Sequence, residues 1–205
     1  GFDLQPFLDA ENSPTKRASL GLSPGDFVVG KIARLFELKG HDDLFAIAPR
    51  LAKRIPNIRF LLVGDGVLRG RFERLAKEIG CGQNFIFTGL VPPSEIPSLV
   101  GVMDALVHLS RREGLPRALP QAMAAAKPVV AFDCDGAGEV CLDGKTGHLI
   151  EPGDLPKLEE RLAKLANDAP LRTALGQAGR KVVEEEFTVE QLVERQYELY
   201  KRLLA

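Results

Sequence analysis

Residues 27–66 read FVVGKIARLFELKGHDDLFAIAPRLAKRIPNIRFLLVGDG, from Phe27 to Gly66. Phe27–Ile32 reads as an apolar run broken only by Gly30. Residues 41–54 place Leu44, Ile47, Ala48, Leu51 and Ala52 on one side of a helix. Ile58–Val63 is a second apolar run, and it ends in Gly64-Asp65-Gly66. Strand, helix and strand follow one another, and the strands are apolar on both faces. A parallel sheet covered by helices requires that pattern.

The rhythm continues outward. Residues 67–79 have helical spacing, Phe85–Phe87 a third strand and 94–102 a short helix. Ala105–Leu109 reads as a fourth strand, 116–126 as an Ala-rich helix, Pro128–Phe132 as a fifth strand and His148–Ile150 as a sixth. The expected fold is α/β: a doubly wound, mostly parallel six-stranded sheet over 27–151, with right-handed crossovers. Helical segments follow at 154–167, 170–186 and 188–203. The last carries Leu192, Gln196, Leu199 and Leu203 at helical spacing, with Tyr197 and Tyr200 interleaved. It is expected to dock on the domain or to reach toward a missing neighbour. Before the first strand, residues 1–26 are polar and Pro/Gly-punctuated, with one apolar cluster at Phe2, Leu4, Phe7 and Leu8. They read as a linker rather than a full element. The expected division is 1–26 linker, 27–165 ligand-binding domain and 166–205 C-terminal helices.

A chain of 205 residues buries a sizeable core without staples. Lys plus Arg is 27 and Asp plus Glu is 28, a formal net charge of -1. A broad nucleic-acid footprint needs a basic excess, so nucleic acid is not an expected partner. No run of about 18 apolar residues is long enough to span a membrane. The start lacks a basic stretch followed by an apolar one, so no secretory signal is read there. Cys81, Cys134 and Cys141 have no ligand-like pairing and fit a reducing, cytoplasmic compartment. The chain does not begin with Met, which fits an excised piece of something longer.

In an open parallel sheet the ligand lies beyond the carboxyl ends of the strands. No G-x-G-x-x-G opens the first unit and no G-x-x-x-x-G-K-[ST] is present, which argues against a standard dinucleotide fold and a P-loop. Arg34 and Lys39, just past the first strand, offer a guanidinium fork and a point charge for phosphate oxygens, or are two surface cations. Glu113-Gly114-Leu115-Pro116 places an acid ahead of a helix start. There it accepts hydrogen bonds from ligand hydroxyls or serves the helix dipole. Gln121 is polar among Ala118, Leu119, Ala122, Met123 and Ala124, reaching a ribose or only solvent. Glu139, after Gly136-Ala137-Gly138, is a ligand contact or a first-turn acid.

In order, these pieces resemble the C-terminal, nucleotide-sugar-binding domain of the GT-B retaining glycosyltransferases known as glycosyl transferases group 1, or family 4. They are Val29-Gly30-Lys31-Ile32-Ala33-Arg34-Leu35 with Lys39-Gly40-His41; Phe60–Gly66; Phe87-Thr88-Gly89; Ser110 with Glu113–Pro116; Gln121–Ala124; Lys127–Ala131; Gly138-Glu139-Val140; and Asp143–Ile150. The resemblance covers about residues 1–165. It implies a Rossmann-like half in which Arg34 and Lys39 bind the donor diphosphate and Glu113 holds sugar hydroxyls. Gly114, Leu115 and Pro116 present backbone near phosphate and sugar. Gly64 ends the second matching strand, and Gly89, Leu90 and Val91 touch the base. Glu139 lines the sugar and phosphate region. The family's E-x7-E reads E-x7-Q here, with Gln121 at the ribose position. The resemblance also implies a missing N-terminal acceptor half, transfer of a hexosyl group with retention, and no metal or other cofactor. The nucleoside-diphosphate sugar is a substrate.

Alternatives stay open at this stage: a sugar-nucleotide-binding or regulatory module without transfer, an epimerase of the same architecture, or a flavodoxin-like binding domain. Asp133-Cys134-Asp135 spells D-x-D, a metal and diphosphate motif of the other glycosyltransferase fold, and reads as coincidental. His41 adjoins the phosphate loop and is a possible ligand contact, whereas His108 and His148 read as packed, satisfied residues. Arg50, Lys53, Arg54 and Arg59, then Arg69, Arg71, Arg74 and Lys77, make locally basic helices. They are solvated faces or a weak peripheral contact with the inner face of an anionic membrane.

Overall fold

The computed structural model describes residues 3–204. Its elements are α1 (Gln5–Leu8), α2 (Pro14–Ser19), β1 (Phe27–Ile32), α3 (His41–Arg54), β2 (Ile58–Val63), α4 (Arg69–Glu78), β3 (Phe85–Gly89) and α5 (Ile96–Gly101). Then come β4 (Ala105–His108), α6 (Ala118–Ala124), β5 (Val129–Phe132), α7 (Ala137–Val140), β6 (Gly147–Ile150), α8 (Leu155–Asn167), α9 (Ala169–Glu186) and α10 (Val189–Leu204). The six strands form one sheet in the order β3-β2-β1-β4-β5-β6. Every neighbouring pair is parallel. The doubly wound sheet read from the apolar runs is therefore present, and the chain order reverses between β1 and β4.

Alternation within the strands divides the core into two layers. Phe27, Val29, Phe60, Leu62 and Val107 face one side, where they pack with Leu44, Ile47 and Leu51 of α3, Phe72 of α4 and Leu158 and Leu162 of α8. Val28, Leu61, Val63, Leu106 and Ala131 face the other, against Leu99 and Val100 of α5 and Leu119, Ala122 and Met123 of α6. Both faces being covered explains why the strands are mostly apolar. Phe45, Phe85 and Phe60 continue the first layer as a stack, with ring centroids 4.1 and 4.7 Å apart.

The reading of the segment before β1 needs correction. The segment before β1, read as a linker without a full element, carries α1 and α2 and is tied to the second layer. Leu4, Phe7 and Leu22 are buried there, and Phe2 of the expected cluster lies outside the described residues. Short amphipathic turns give too little periodicity to be read from sequence. Arg17 locks this segment down, although only 5% of it is exposed. Its guanidinium donates to the carbonyls of Ser23 (2.8 Å), Asp26 (2.8 Å) and Val102 (3.2 Å). At the other end, α9 packs on α6, but among the described residues α10 buries no side chain. Leu192, Tyr197, Leu199, Tyr200 and Leu203 are all exposed, so α10 leaves most of its apolar face uncovered, with only its start bordering a cavity of the domain.

Arg17 satisfies three carbonyls at once, and no other side chain can fill that fork. Arg17→Ala is expected to lower unfolding stability by about 2–3 kcal/mol, the scale of hydrogen bonds to a charged group whose partners are left buried. Denaturant midpoints of the two chains measure it, and a change below about 0.5 kcal/mol, the range of ordinary surface substitutions, rejects the anchor.

Candidate functional site

The reversal of strand order sends α3 to one face of the sheet and α6 to the other, as their core contacts show. Loops leaving β1 and β4 therefore diverge, and a crevice opens between them at the carboxyl end of the sheet. A cleft of about 490 Å³ lies there, lined by Ala33, Arg34 and Lys39 after β1, Val91 after β3, His108 and Glu113 at and beyond β4, and Leu115, Pro116 and Gln121 leading into α6. Of the residues singled out from sequence, Arg34, Lys39, Val91, Glu113, Leu115, Pro116 and Gln121 thus share one cleft. Gly64, Gly89, Leu90 and Gly114 are not among its lining residues, and Leu90 points outward, 86% exposed. Glu139 is exposed on α7 and lines a separate cavity of about 460 Å³, with Phe187, Leu192 and Arg195 beside the start of α10. The helix expected over 116–126 spans only Ala118–Ala124.

The β1 loop is held in place by backbone. Gly40 has φ of +63°, and a Cβ there would stand 1.9 Å from the Leu109 carbonyl oxygen. Only glycine fits, and it brings the end of this loop onto the end of β4. The Arg111 N–H donates to the Leu38 carbonyl at 2.9 Å, and the Arg111 guanidinium donates to Asp43 of α3 at 2.9 Å. Lys39 is thereby set opposite Glu113, and their ammonium and carboxylate groups form an ion pair. Ser110 Oγ donates to the same Glu113 oxygen at 3.1 Å. Partial burial opposes ionisation of Glu113, but the Lys39 and Ser110 hydrogen bonds and the Lys39 charge outweigh it, and its carboxyl lies below the ordinary range. Arg34 is exposed and, among the described residues, has no carboxylate within ion-pair distance; its guanidinium lies 5.8 Å from the Phe36 ring centroid.

Beneath this pair lies a set of buried bases that local patterns had hidden. Lys31, passed over in the apolar reading of β1, is 2% exposed and has no ion-pair partner among the described residues. Burial is the main reason its ammonium is pulled down to about 7; Asp43 and Glu113 oppose that shift and Lys39 adds to it. His41, expected as a possible ligand contact, is instead 1% exposed, with its ring centroid 5.2 Å from that of Phe72. His108 is buried as expected, but its Nε2 has no hydrogen-bond partner. His148 is buried too, with Nδ1 3.7 Å from Asp143 Oδ1 and Nε2 unpartnered. A single charge within an apolar strand run was the available signal for Lys31.

Asp135, of the D-x-D triplet, points its carboxylate at the Glu113 N–H, 2.7 Å away. Among the described residues, no group of three or more His, Cys, Asp or Glu side chains is arranged to hold a metal ion. Of the cations expected on basic helices, Arg59 lies instead on β2, where it pairs with Asp26; Arg50 and Arg54 pair with Glu159, Arg69 with Asp65 and Glu73, and Arg71 with Asp42. Among the described residues, no helix is long and apolar enough to cross a membrane.

Comparison with known proteins agrees with this architecture. The family model described as Glycosyl transferases group 1 matches residues 12–182. A GDP-mannose-dependent alpha-(1-6)-phosphatidylinositol monomannoside mannosyltransferase of Mycolicibacterium smegmatis is 32% identical over 182 residues, which are 85% of this chain and 47% of that protein. The crystal structure of the C-terminal domain of the glycosyl transferase group 1 family protein LpcC from Francisella tularensis has a TM-score of 0.83 at 26% identity. The match covers 92% of this chain and 100% of that one. Anabaena Alr3699/HepE, solved in complex with UDP, has a TM-score of 0.86 at 26% identity, covering 98% of this chain and 56% of that one. The chain spans about half the length of the curated relatives it matches.

The buried imidazoles make acid stability a measure of the site's packing. Burial, reinforced by Lys31 and Lys39, pulls His41 down to about 3. Burial with Lys31 and Lys39, opposed by Glu113, pulls His108 down to about 4. Both are neutral in the folded chain at pH 6, where the unfolded chain begins to take up protons. Their contribution is complete above about pH 6.5, the ordinary histidine value, and is lost as pH falls toward those lowered values. Each is expected to tilt stability by up to about 1.4 kcal/mol per pH unit below pH 6.5. Denaturant midpoints between pH 7 and 5 should show a shallower slope for His41→Gln and for His108→Gln than for the parent chain. Equal slopes would mean that the imidazoles are not buried neutral.

Proposed function

The chain belongs to the Glycosyl transferases group 1 family, and we propose that it is the donor-binding half of a transferase that moves a hexosyl group from a nucleoside-diphosphate sugar to an acceptor hydroxyl with retention of configuration. The observation that carries this reading is the convergence of Arg34, Lys39 and Glu113 on one cleft at the strand-order reversal. In this reading Arg34, which has no acid of its own, meets the diphosphate first. Lys39 exchanges its Glu113 partner for a phosphate oxygen, and the freed Glu113 carboxylate accepts hydrogen bonds from sugar hydroxyls. As the bond from the anomeric carbon to the diphosphate oxygen breaks, negative charge grows on the leaving group between Arg34 and Lys39. Fixed cations at that point lower the barrier. The acceptor oxygen forms the new bond, and its proton passes to the departing phosphate. Glu113 orients the sugar and is not the nucleophile.

Gln121 lines the cleft from α6 and serves the ribose as donor and acceptor, adding no charge beside the diphosphate. Val91, with Gly89 and Leu90, lies toward the base; Gly114, Leu115 and Pro116 border phosphate and sugar; Gly64 shapes the end of β2. Glu139 faces the neighbouring cavity and reaches the sugar region only from its edge. No metal or other cofactor is needed in this reading, because the cations at the cleft carry the charge. Its base is open between relatives: one is named for GDP-mannose and one was solved with UDP. The acceptor half would precede this chain, and the exposed apolar face of α10 is the surface offered to it. The protein would work in the cytoplasm.

Calorimetric titration with UDP, GDP and ADP, with and without magnesium, tests the reading. One nucleotide is expected to bind without magnesium, and Arg34→Ala to weaken it about 10- to 100-fold, the worth of a charge-assisted contact. Binding that depends strictly on magnesium, or is indifferent to Arg34, would overturn it. For α10, Leu199→Glu is expected to leave the stability of this chain within about 0.5 kcal/mol, as for any exposed site. In the protein with both halves it should lower the thermal midpoint.

A further inference from the structure

The turn after β5 has no part in the mechanism above, yet it grips the Glu113 loop at consecutive positions. Cys134 Sγ donates to the Arg111 carbonyl at 3.1 Å. Asp135 Oδ2 accepts from the Glu113 N–H at 2.7 Å. The Gly136 N–H donates to the Gly114 carbonyl at 3.2 Å. A Cβ on Gly136 would lie 2.4 Å from that same carbonyl oxygen, so the two loops are in direct contact. The gripped loop lies between β4 and α6, and neither Arg111 nor Arg112 beside Glu113 is buried. Without this turn, the backbone of Glu113 has no regular structure to fix it.

Asp135 itself sits at φ of +49°, in the left-handed region. Glycine would take that conformation without steric cost, whereas an L side chain there is uncommon. What the side chain adds is a carboxylate acceptor aimed at one N–H. Glu113 is thus held from two directions: its backbone by Asp135, and its carboxylate by Ser110 and Lys39. The second acid of the D-x-D triplet therefore has a use that needs no metal. We infer that Asp135 is a positioning residue for Glu113: it anchors the Glu113 backbone so that the carboxylate stays aimed at the sugar part of the donor when Lys39 turns to the diphosphate. This rests on the reading of Glu113 as the sugar-side acceptor.

Two substitutions separate the hydrogen bond from the backbone conformation. Asp135→Gly keeps the left-handed turn and removes the acceptor. Asp135→Asn keeps a carbonyl acceptor, and Asn also tolerates the turn. In the intact protein, release of nucleoside diphosphate is followed from UDP-glucose, UDP-N-acetylglucosamine and GDP-mannose, and affinity is measured for bare UDP and GDP. For whichever donor the parent uses, Asp135→Gly is expected to lower kcat/KM about tenfold or more, the scale of one charge-assisted hydrogen bond. Its affinity for the bare nucleotide should stay within about twofold, and Asp135→Asn should recover most of the loss. The inference is overturned if the two variants behave alike, or if the bare nucleotide weakens as much as the sugar donor. Should the parent bind no nucleotide and consume no donor, the proposed function falls, and hydrogen exchange at the Glu113 amide decides the anchor alone. Faster exchange in Asp135→Gly but not in Asp135→Asn supports it, and equal exchange in all three chains overturns it.

Discussion

Reversal of strand order between β1 and β4 is the constraint on which the site depends. A parallel sheet must cover both faces, and each crossover must be right-handed. Once β2 is laid on one side of β1 and β4 on the other, α3 and α6 have to leave on opposite faces. No helix then covers the seam between them. The cleft is what remains uncovered, and the first loop residues on either side of it are Ala33-Arg34 and Leu109-Ser110. Gly40 keeps the seam narrow by letting the end of one loop lie on the carbonyl that closes β4. The strands carry the rigidity, and the loops only have to hold side chains across a short gap.

Across that gap positive charge outweighs negative. Among the described residues Arg34 stands without an acid, Lys39 shares one with Ser110, and Lys31 lies buried beneath with no paired carboxylate. Burying a charged group without a partner is costly, and the chain meets that cost by holding Lys31 near the edge of neutrality and both neighbouring histidines neutral. Arg34 and Lys39 above them, against the single charge of Glu113, favour a multiply charged anion over a neutral ligand, in keeping with the diphosphate proposed for the cleft. The Lys39–Glu113 pair keeps the cleft from being too positive when nothing is bound. In the proposed reading this one carboxylate has two partners to choose between, a cation in the empty cleft and hydroxyls in the filled one.

Much of this was legible in the sequence, and its limits follow from range. Strand and helix order came from apolar periodicity, because the inner strands are buried on both faces and the longer helices each have one apolar side. Arg34, Lys39 and Glu113 stood out because they follow strand ends directly. Their pairing was not legible: Lys39 and Glu113 are 74 residues apart, and only the sheet brings them together. Asp135 was set aside as part of a three-letter coincidence, since its partner lies 22 residues away on another loop. Arg17 was lost in a polar stretch, where nothing local says that a guanidinium will be buried under three carbonyls. Lys31 failed in the opposite sense: one cation in an apolar run is outvoted by its neighbours.

The C-terminal helix shows the same limit from another side. Its two apolar stripes were plain, but periodicity says only that a helix has something to bury, not where. An isolated helix of this length is marginal in water, and most helical stability comes from packing of the apolar face. α10 has such a face and, among the described residues, buries none of it. The donor cleft is likewise lined from one domain, with its outer side open. The acceptor half proposed above would account for both: a second half that closes over the cleft and takes the apolar face of α10 would complete the site and the helix together. The cavity that Leu192 and Arg195 of α10 border with Glu139 shares Leu115 with the cleft wall, so the start of α10 lies next to the side of the cleft that such a half would close.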